Sequence, residues 1–424
     1  METTAKIGYA KATINPPLGT DLAGHAIKER KAIGIHDDLY CRVLVLELQE
    51  EDYCLIQNDL IGLDYEFVDT LKRNLISLGF KDQNIFIGCT HTHSGPRGLS
   101  KDGNLSPEYI EMVKGEYDEA LINQYLTTMI ETTKKAGTNK AFCEIRYGFT
   151  EVYDVCCNRN HKEKPGDPWL FALEFLRTDG KKLLLYNYAC HPTIVNHGNH
   201  YVTADFPYGV ANLCEGKEYE QVIFINGSSG DISTRFTRKE ASFTEIDRIG
   251  DILWGHIKTA LSNADAKSID KISIIDSTYK MLLKKADTVE VAKAKLEKYQ
   301  KELEVAIKDN LPNRRTYESF VEGAQFGLFR AYSHSGEEYT EVHYKILKLN
   351  DLTFVFVPSE LFSDLSNPLR IEYGKKLIFC THFNGSLGYI ADSFSYENDT
   401  YETQTSNFEK GQGEAFMECI KKQL

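Results

Sequence analysis

Asn84-Ile85-Phe86-Ile87-Gly88-Cys89-Thr90-His91-Thr92-His93-Ser94-Gly95-Pro96 is the stretch on which the reading of this chain turns. Its first six residues form a short apolar run rich in β-formers, stopped by Gly95-Pro96, and this predicts a buried strand. Side chains alternate along a strand, so His91 and His93 are expected on one face at its carboxyl end. In α/β sheets that edge is where ligands bind. Two imidazoles held there can share one metal ion, or divide ligation and proton transfer between them. A pair of strand-end histidines can equally bond nothing more than loop carbonyls.

Strand-like and helical patterns alternate on either side of this stretch. Arg42 to Leu48 and Tyr53 to Gln57 read as adjacent strands, followed by a helix from about Tyr65 to Leu78. Ser106-Pro107-Glu108 has the form of a helix start, with Ser as N-cap and Pro in the first turn, opening a helix that ends near Gly137. Further strands are expected at Phe142 to Tyr147, Leu170 to Leu176, Lys182 to Tyr188 and Gln221 to Ile225, then a helix from about Phe243 to Ser262. Asp287 to Lys308 is charged nearly throughout, with apolar residues at three- to four-residue spacing. It reads as a solvent-facing amphipathic helix, one arm of a hairpin completed by Glu318 to Ala331. Strands return at Val342 to Leu349, Leu352 to Val357 and Leu377 to Cys380. The mixture predicts an α/β (mixed α+β) fold.

The chain has 424 residues and a net charge of -13, which makes phosphate-backbone binding a poor candidate for its main activity. No stretch is apolar for long enough to cross a membrane as a helix, and the opening Met-Glu-Thr-Thr-Ala-Lys-Ile carries no secretory h-region. Ten scattered cysteines without a C-x-x-C pair read as reduced thiols, so the expected location is cytoplasmic.

Four other strand-like runs stop at polar residues of catalytic type. Lys182 to Cys190 stops at His191-Pro192, and Gln221 to Ile225 at Asn226-Gly227-Ser228-Ser229-Gly230-Asp231-Ile232-Ser233. Leu352 to Val357 stops at Pro358-Ser359-Glu360, and Leu377 to Cys380 at a loop running from Thr381 to Tyr389. Taken singly each is bland, since His191 can cap a carbonyl, Glu360 can open a helix and Tyr389 can be core. Together with the two histidines they supply what a catalytic zinc requires, three protein ligands and an open position. A serine-hydrolase reading of Gly227-Ser228-Ser229-Gly230 is weaker, because there is no G-x-S-x-G elbow. Asp205 and Asp59 are candidates either for orienting a histidine or for capping a loop.

These residues resemble the neutral/alkaline (non-lysosomal) ceramidase family, in order along much of the chain. Gly8 to Pro16 is similar to its N-terminal strand, Thr90-His91-Thr92-His93-Ser94-Gly95-Pro96 to its signature, Asn158-Arg159-Asn160 to its Asn-Arg loop, and Gly230-Asp231-Ile232-Ser233 to its Gly-Asp-Val-Ser loop. Gly388-Tyr389 and Tyr401-Glu402 repeat the spacing of its two functional tyrosines. The resemblance implies Zn2+ held by His91, His191, Glu360 and Tyr389. It implies His93, Arg159 and Tyr401 around the substrate carbonyl, and Ser233 as a residue needed for turnover. Three positions depart from the pattern: Thr13 stands where an acidic residue is usual, and Thr234-Arg235 where Pro-Asn is usual.

The expectation is therefore one ceramidase-like catalytic domain over residues 1–424, with mixed sheets, flanking helices and a helical insertion at 287–331. The expected form is a short one, without the family's C-terminal immunoglobulin-like domain. The expected activity is zinc-dependent hydrolysis of a linear N-acyl amide by metal-activated water. Esterase or lactonase chemistry at the same metal, or a non-catalytic metal- or ligand-binding homologue, are the alternatives. The expected partner is a small N-acyl substrate, with no nucleic acid and no transmembrane segment; the oligomeric state stays open.

Overall fold

The computed structural model describes residues 4–25, 30–100, 115–164, 166–312, 314–333 and 336–424. Eight strands form the larger sheet: β1 (Lys6–Thr13), β2 (Tyr40–Leu48), β3 (Glu51–Asn58), β4 (Ile85–Cys89), β5 (Ala141–Glu151), β6 (Trp169–Arg177), β7 (Lys182–Tyr188) and β8 (Gln221–Asn226). Their order is β8-β7-β6-β5-β1-β2-β3-β4, antiparallel except for β3 beside β4 and β7 beside β8. The sheet is two four-stranded halves, joined only where Lys6 and Ile7 pair with Phe142 and Ala141. Because the joint is so short, β8 at the free edge of one half crosses the other half. The Gln221 amide donates to the Val43 carbonyl (3.3 Å) and the Asn226 amide to the Thr90 carbonyl (3.4 Å). Strand ends that are far apart in sheet order thus meet in space.

A smaller sheet, in the order β9 (Ile272–Leu282), β10 (Tyr339–Leu349), β11 (Leu352–Phe356) and β12 (Leu377–Cys380), packs on the larger one. Leu44, Phe86, Leu173 and Ile225 of the first sheet share a buried cluster with Leu349, Phe354, Phe356 and Ile378 of the second. The alternate residues of the larger sheet face helices. On one half these are α1 (Tyr65–Ser77) and α2 (Glu119–Thr138). On the other they are α3 (Phe206–Cys214) and α4 (Phe243–Leu261). The outer face of the smaller sheet is covered by residues of α7 (Ser363–Tyr373) and α8 (Gln412–Lys421). With both faces covered, β2, β7 and β8 read as nearly continuous apolar runs, which is why they were legible in sequence.

The helix expected from Ser106 has its start outside the described residues, and α2 is described from Glu119 with Asp118 as N-cap. The amphipathic arm is α5 (Val289–Lys308) and its partner α6 (Arg314–Ser333), set in the connection between the paired strands β9 and β10. In α5 only Ala292, Tyr299 and Ala306 are buried, so most of its charged surface meets water. The hairpin docks through Arg330, which donates to the carbonyls of Gln404 (3.2 Å), Thr405 (3.0 Å) and Ser406 (2.8 Å). Among the described residues no helix is long and apolar enough to cross a membrane.

Candidate active site

The carboxyl ends of β4, β7 and β11 bring His91, His93, His191 and Glu360 together. His91 and His93 do not continue an extended strand, contrary to the sequence expectation. β4 ends at Cys89, and His91 sits in the left-handed region with φ 69°, so the backbone turns instead of running straight. The two rings still meet: Nε2 of His93 lies 3.4 Å from Nε2 of His91. From there, His91 Nε2 lies 3.2 Å from His191 Nε2, and Glu360 Oε2 lies 3.3 Å from the first and 3.2 Å from the second.

The protonation pattern follows from the backbone. His91 Nδ1 faces the Ile61 carbonyl at 2.7 Å, and His191 Nδ1 faces the Ser229 carbonyl at 2.6 Å. A carbonyl only accepts, so both protons sit on Nδ1 and both Nε2 atoms present lone pairs. Two lone pairs aimed at each other across 3.2 Å repel, and a shared cation between them removes the conflict. The three separations of 3.2–3.3 Å among His91 Nε2, His191 Nε2 and Glu360 Oε2 match one face of a tetrahedron whose donors lie about 2.0–2.1 Å from its centre, with an edge of about 3.3 Å. This donor set therefore fits a zinc-like divalent ion, and the three imidazoles also form a buried group able to hold a metal. His93 differs from its neighbours in that its Nδ1 has no hydrogen-bond partner among the described residues.

The fields around these groups are strong. Burial, aided by the Arg159 charge, lowers His191 to about 4. Burial and the neighbouring histidines hold His93 well below the ordinary imidazole value. Burial pushes Glu360 up, but the facing His91 and His191 outweigh it and keep its carboxyl well below the usual range.

Glu360 and Tyr389 are adjacent because Glu360–Leu361 pairs in parallel with Tyr389–Ile390. The Tyr389 hydroxyl accepts from Arg159 Nη2 at 3.1 Å, and the Tyr389 and Tyr401 rings are 6.1 Å apart. Arg159 is itself locked by Glu402, 2.6 Å from its Nε. Both tyrosines are raised by burial, so each keeps its proton at neutral pH. Ser233 is buried behind His191: the two residues share a β-bridge, and its hydroxyl oxygen accepts from the Arg235 backbone N–H at 3.2 Å. Asp231 ties these loops together, accepting from Asn158 (3.0 Å) and from both the backbone and hydroxyl of Ser363 (2.6 and 2.9 Å).

Asp205 and Asp59 do not orient a histidine. Asp205 caps α3 and accepts from the Val195 N–H at 3.2 Å, whereas Asp59 pairs with Arg42 at 2.6 Å. Sequence reasoning missed several neighbours. His382, also in the left-handed region, stacks on His91 at 3.9 Å between ring centroids. Arg30 donates to the carbonyls of Ala23 and His93, and Arg97 lines the cavity over the cluster. Only Glu402 carried a sequence signal, its place next to Tyr401. The cavity has a volume of about 270 Å³ and is bounded by His91, His93, Glu360, Tyr389, Tyr401 and, from α6, Phe326.

Comparison with known proteins gives one consistent answer. The family model for neutral/alkaline non-lysosomal ceramidase, N-terminal, matches residues 6–237. The neutral ceramidase of Pseudomonas aeruginosa is 24% identical over 221 residues, a match taking in 47% of this chain and 32% of that protein, so it spans about a third of the curated relative's length. The crystal structure of neutral ceramidase from Pseudomonas aeruginosa superposes with a TM-score of 0.79 at 15% identity, covering 99% of this chain and 74% of the other. A ceramidase complexed with C2 superposes at 0.74 with 13% identity, covering 100% and 76%. The family match takes in more than half of the chain, including the loops that carry His91, His93, Arg159, His191 and Ser233, and the chain belongs to the neutral/alkaline non-lysosomal ceramidase family.

Proposed function

We propose that this protein is a metal-dependent hydrolase of linear N-acyl amides, with His91, His191 and Glu360 holding a zinc ion. The observation that carries the proposal is the triangle of donor atoms His91 Nε2, His191 Nε2 and Glu360 Oε2, 3.2–3.3 Å apart, two of them imidazole nitrogens with lone pairs face to face. Zinc bound there supplies Lewis acidity toward water and toward a carbonyl oxygen. Tyr389 is the fourth donor that the family resemblance suggests, and it lies beside Glu360.

The chain's own residues divide the remaining work. His91 and His191 are fixed by Nδ1–H bonds to carbonyls, the usual way a ligating imidazole is oriented. His93 has no such tether and is neutral at pH 7, so it can accept the proton that water loses and return it to the departing amine. General acid–base help of this kind is worth about 10²–10⁴-fold. Arg159, held by Glu402, and the protonated Tyr401 hydroxyl are the donors for the developing oxyanion, worth about 3–4 kcal/mol for a well-placed donor. Ser233 supports the His191 loop from behind.

The substrate class follows from the family: the relatives are ceramidases by name, and an N-acylated amine with an apolar chain is the natural candidate. The chain is proposed to act as one catalytic unit, with 287–331 as an insertion shaping the cavity through Phe326. Its ten free cysteines fit a reducing compartment, the basis for proposing the cytoplasm. The test is elemental analysis together with hydrolysis of N-acyl amides by wild type, His91→Ala and Glu360→Ala. About one zinc per chain and turnover, both lost in the variants, supports the proposal; a wild type unable to take up zinc overturns it.

A further inference from the structure

Arg97 directly follows the turn at Gly95-Pro96 and lines the same cavity as His91, His93 and Glu360. It is 8% exposed, and among the described residues one of its five side-chain donors is used, Nη2 to the His25 carbonyl at 2.8 Å. Its Nε is buried without a partner among the described residues. Among the described residues no carboxylate comes within ion-pairing distance of it. The charge that acts on it, Asp21, is already paired with Lys31 at 3.0 Å.

Two other arginines near the site show how different this is. Arg159 has Glu402. Arg30, buried next to Arg97, is spent on the carbonyls of Ala23, His93 (2.6 Å) and Asn199 (3.2 Å), so it holds the histidine loop together. Arg97 holds nothing comparable. Among the described residues, Arg30 and Arg97 thus stand side by side on this wall, in a chain whose net charge is -13. A buried cation without a counter-charge is costly to keep. A guanidinium fork with free donors matches a carboxylate in shape and charge.

We propose that the substrate is a linear N-acyl amide bearing a carboxylate, and that Arg97 receives that carboxylate. This rests on the hydrolase reading above and narrows it from N-acyl amides in general to anionic ones. Arg97 is then a specificity-determining residue that acts on substrate binding and not on the reacting bond.

The test compares N-octanoylglycine with its neutral match N-octanoylglycinamide, and N-octanoylphosphoethanolamine with N-octanoylethanolamine, on wild type, Arg97→Gln and Arg97→Lys. Wild type is expected to favour the carboxylate over its neutral match by about tenfold or more in kcat/KM, the range of a charge-assisted contact. Arg97→Gln should bring that ratio near one, mostly through KM of the anionic substrate, and Arg97→Lys should restore part of it. A wild-type ratio at or below one overturns the proposal, as does an Arg97→Gln loss equal for both members of the pair. A preference confined to the phosphate pair overturns the carboxylate assignment. Should Arg97→Gln fail to fold, the wild-type ratio is read at low and high salt, where a ratio unmoved by salt counts against it.

If no amide is turned over, the hydrolase reading fails while the role of Arg97 stays open to measurement. Calorimetric binding of N-octanoylglycine to chelator-treated protein should then weaken about tenfold in Arg97→Gln, and absence of binding to wild type refutes the role.

Discussion

Acidifying the metal-free protein should destabilise it through His191. The ring is fully buried, and burial, with the Arg159 charge beside it, lowers it from 6.5 to about 4. A depressed imidazole means the folded state binds the proton less tightly than the unfolded chain. The stability it contributes is whole above pH 6.5 and is lost as pH falls toward 4. The gap between 6.5 and about 4 is worth about 3 kcal/mol, at about 1.4 kcal/mol per pKa unit. About 2 kcal/mol of that is lost between pH 7 and pH 5, where the unfolded ring charges while the folded one stays neutral. The assay is urea unfolding of chelator-treated wild type and His191→Asn at both pH values. Asn keeps a donor for the Ser229 carbonyl but does not titrate, and other acid-sensitive groups largely cancel in the comparison. Wild type should lose about 2 kcal/mol more than the variant on going to pH 5. Equal losses would refute the reasoning.

Gly24 has φ 89°, and a Cβ there would lie 2.3 Å from the His93 ring, so Gly24→Ala must displace that ring. Turnover should fall about 100-fold or more while metal content holds, checked by kcat beside elemental analysis. Glu402→Gln strips the half-buried Arg159 of its buried carboxylate partner and should cost about 1.5–3 kcal/mol in urea unfolding, with turnover falling alongside. Zinc at a hundredfold excess over its Kd should stabilise wild type by about 2.7 kcal/mol, an increment that His91→Ala removes. Phe326→Ala, opening the cavity wall supplied by α6, should shift preference toward bulkier acyl chains, read as a change in kcat/KM along a chain-length series.

Much of this site was legible because its parts are local. A strand buried on both faces is a run of apolar residues, and the run must stop where a polar side chain is wanted. His91, His93, His191, Glu360 and Tyr389 were all read from such stops, and the signature and loop motifs around them pointed to the family. The helical hairpin was legible for the same reason, since α5 carries a helical period on a charged surface. Elements without so clear a signal were missed. β9 is exposed along much of its length and its side chains do not alternate cleanly. α7 carries Pro368 within it, and α3 is so apolar that no polar face marks it as a helix.

Only the tertiary structure decided how the stops meet. Residues 91 and 191 converge because the two halves of the large sheet are joined at a single short ladder and cross, and residue 360 joins them because the smaller sheet packs on the larger, contacts no sequence period encodes. It also decided the conformations that aim the rings, with His91 and His382 held at positive φ. It separated Asp59 and Asp205, which serve the scaffold, from Glu402, which holds Arg159, and Arg97, which lines the cavity. Local propensity records which residues end a strand. Which charge stands opposite which depends on contacts hundreds of residues apart, and so it belongs to the fold.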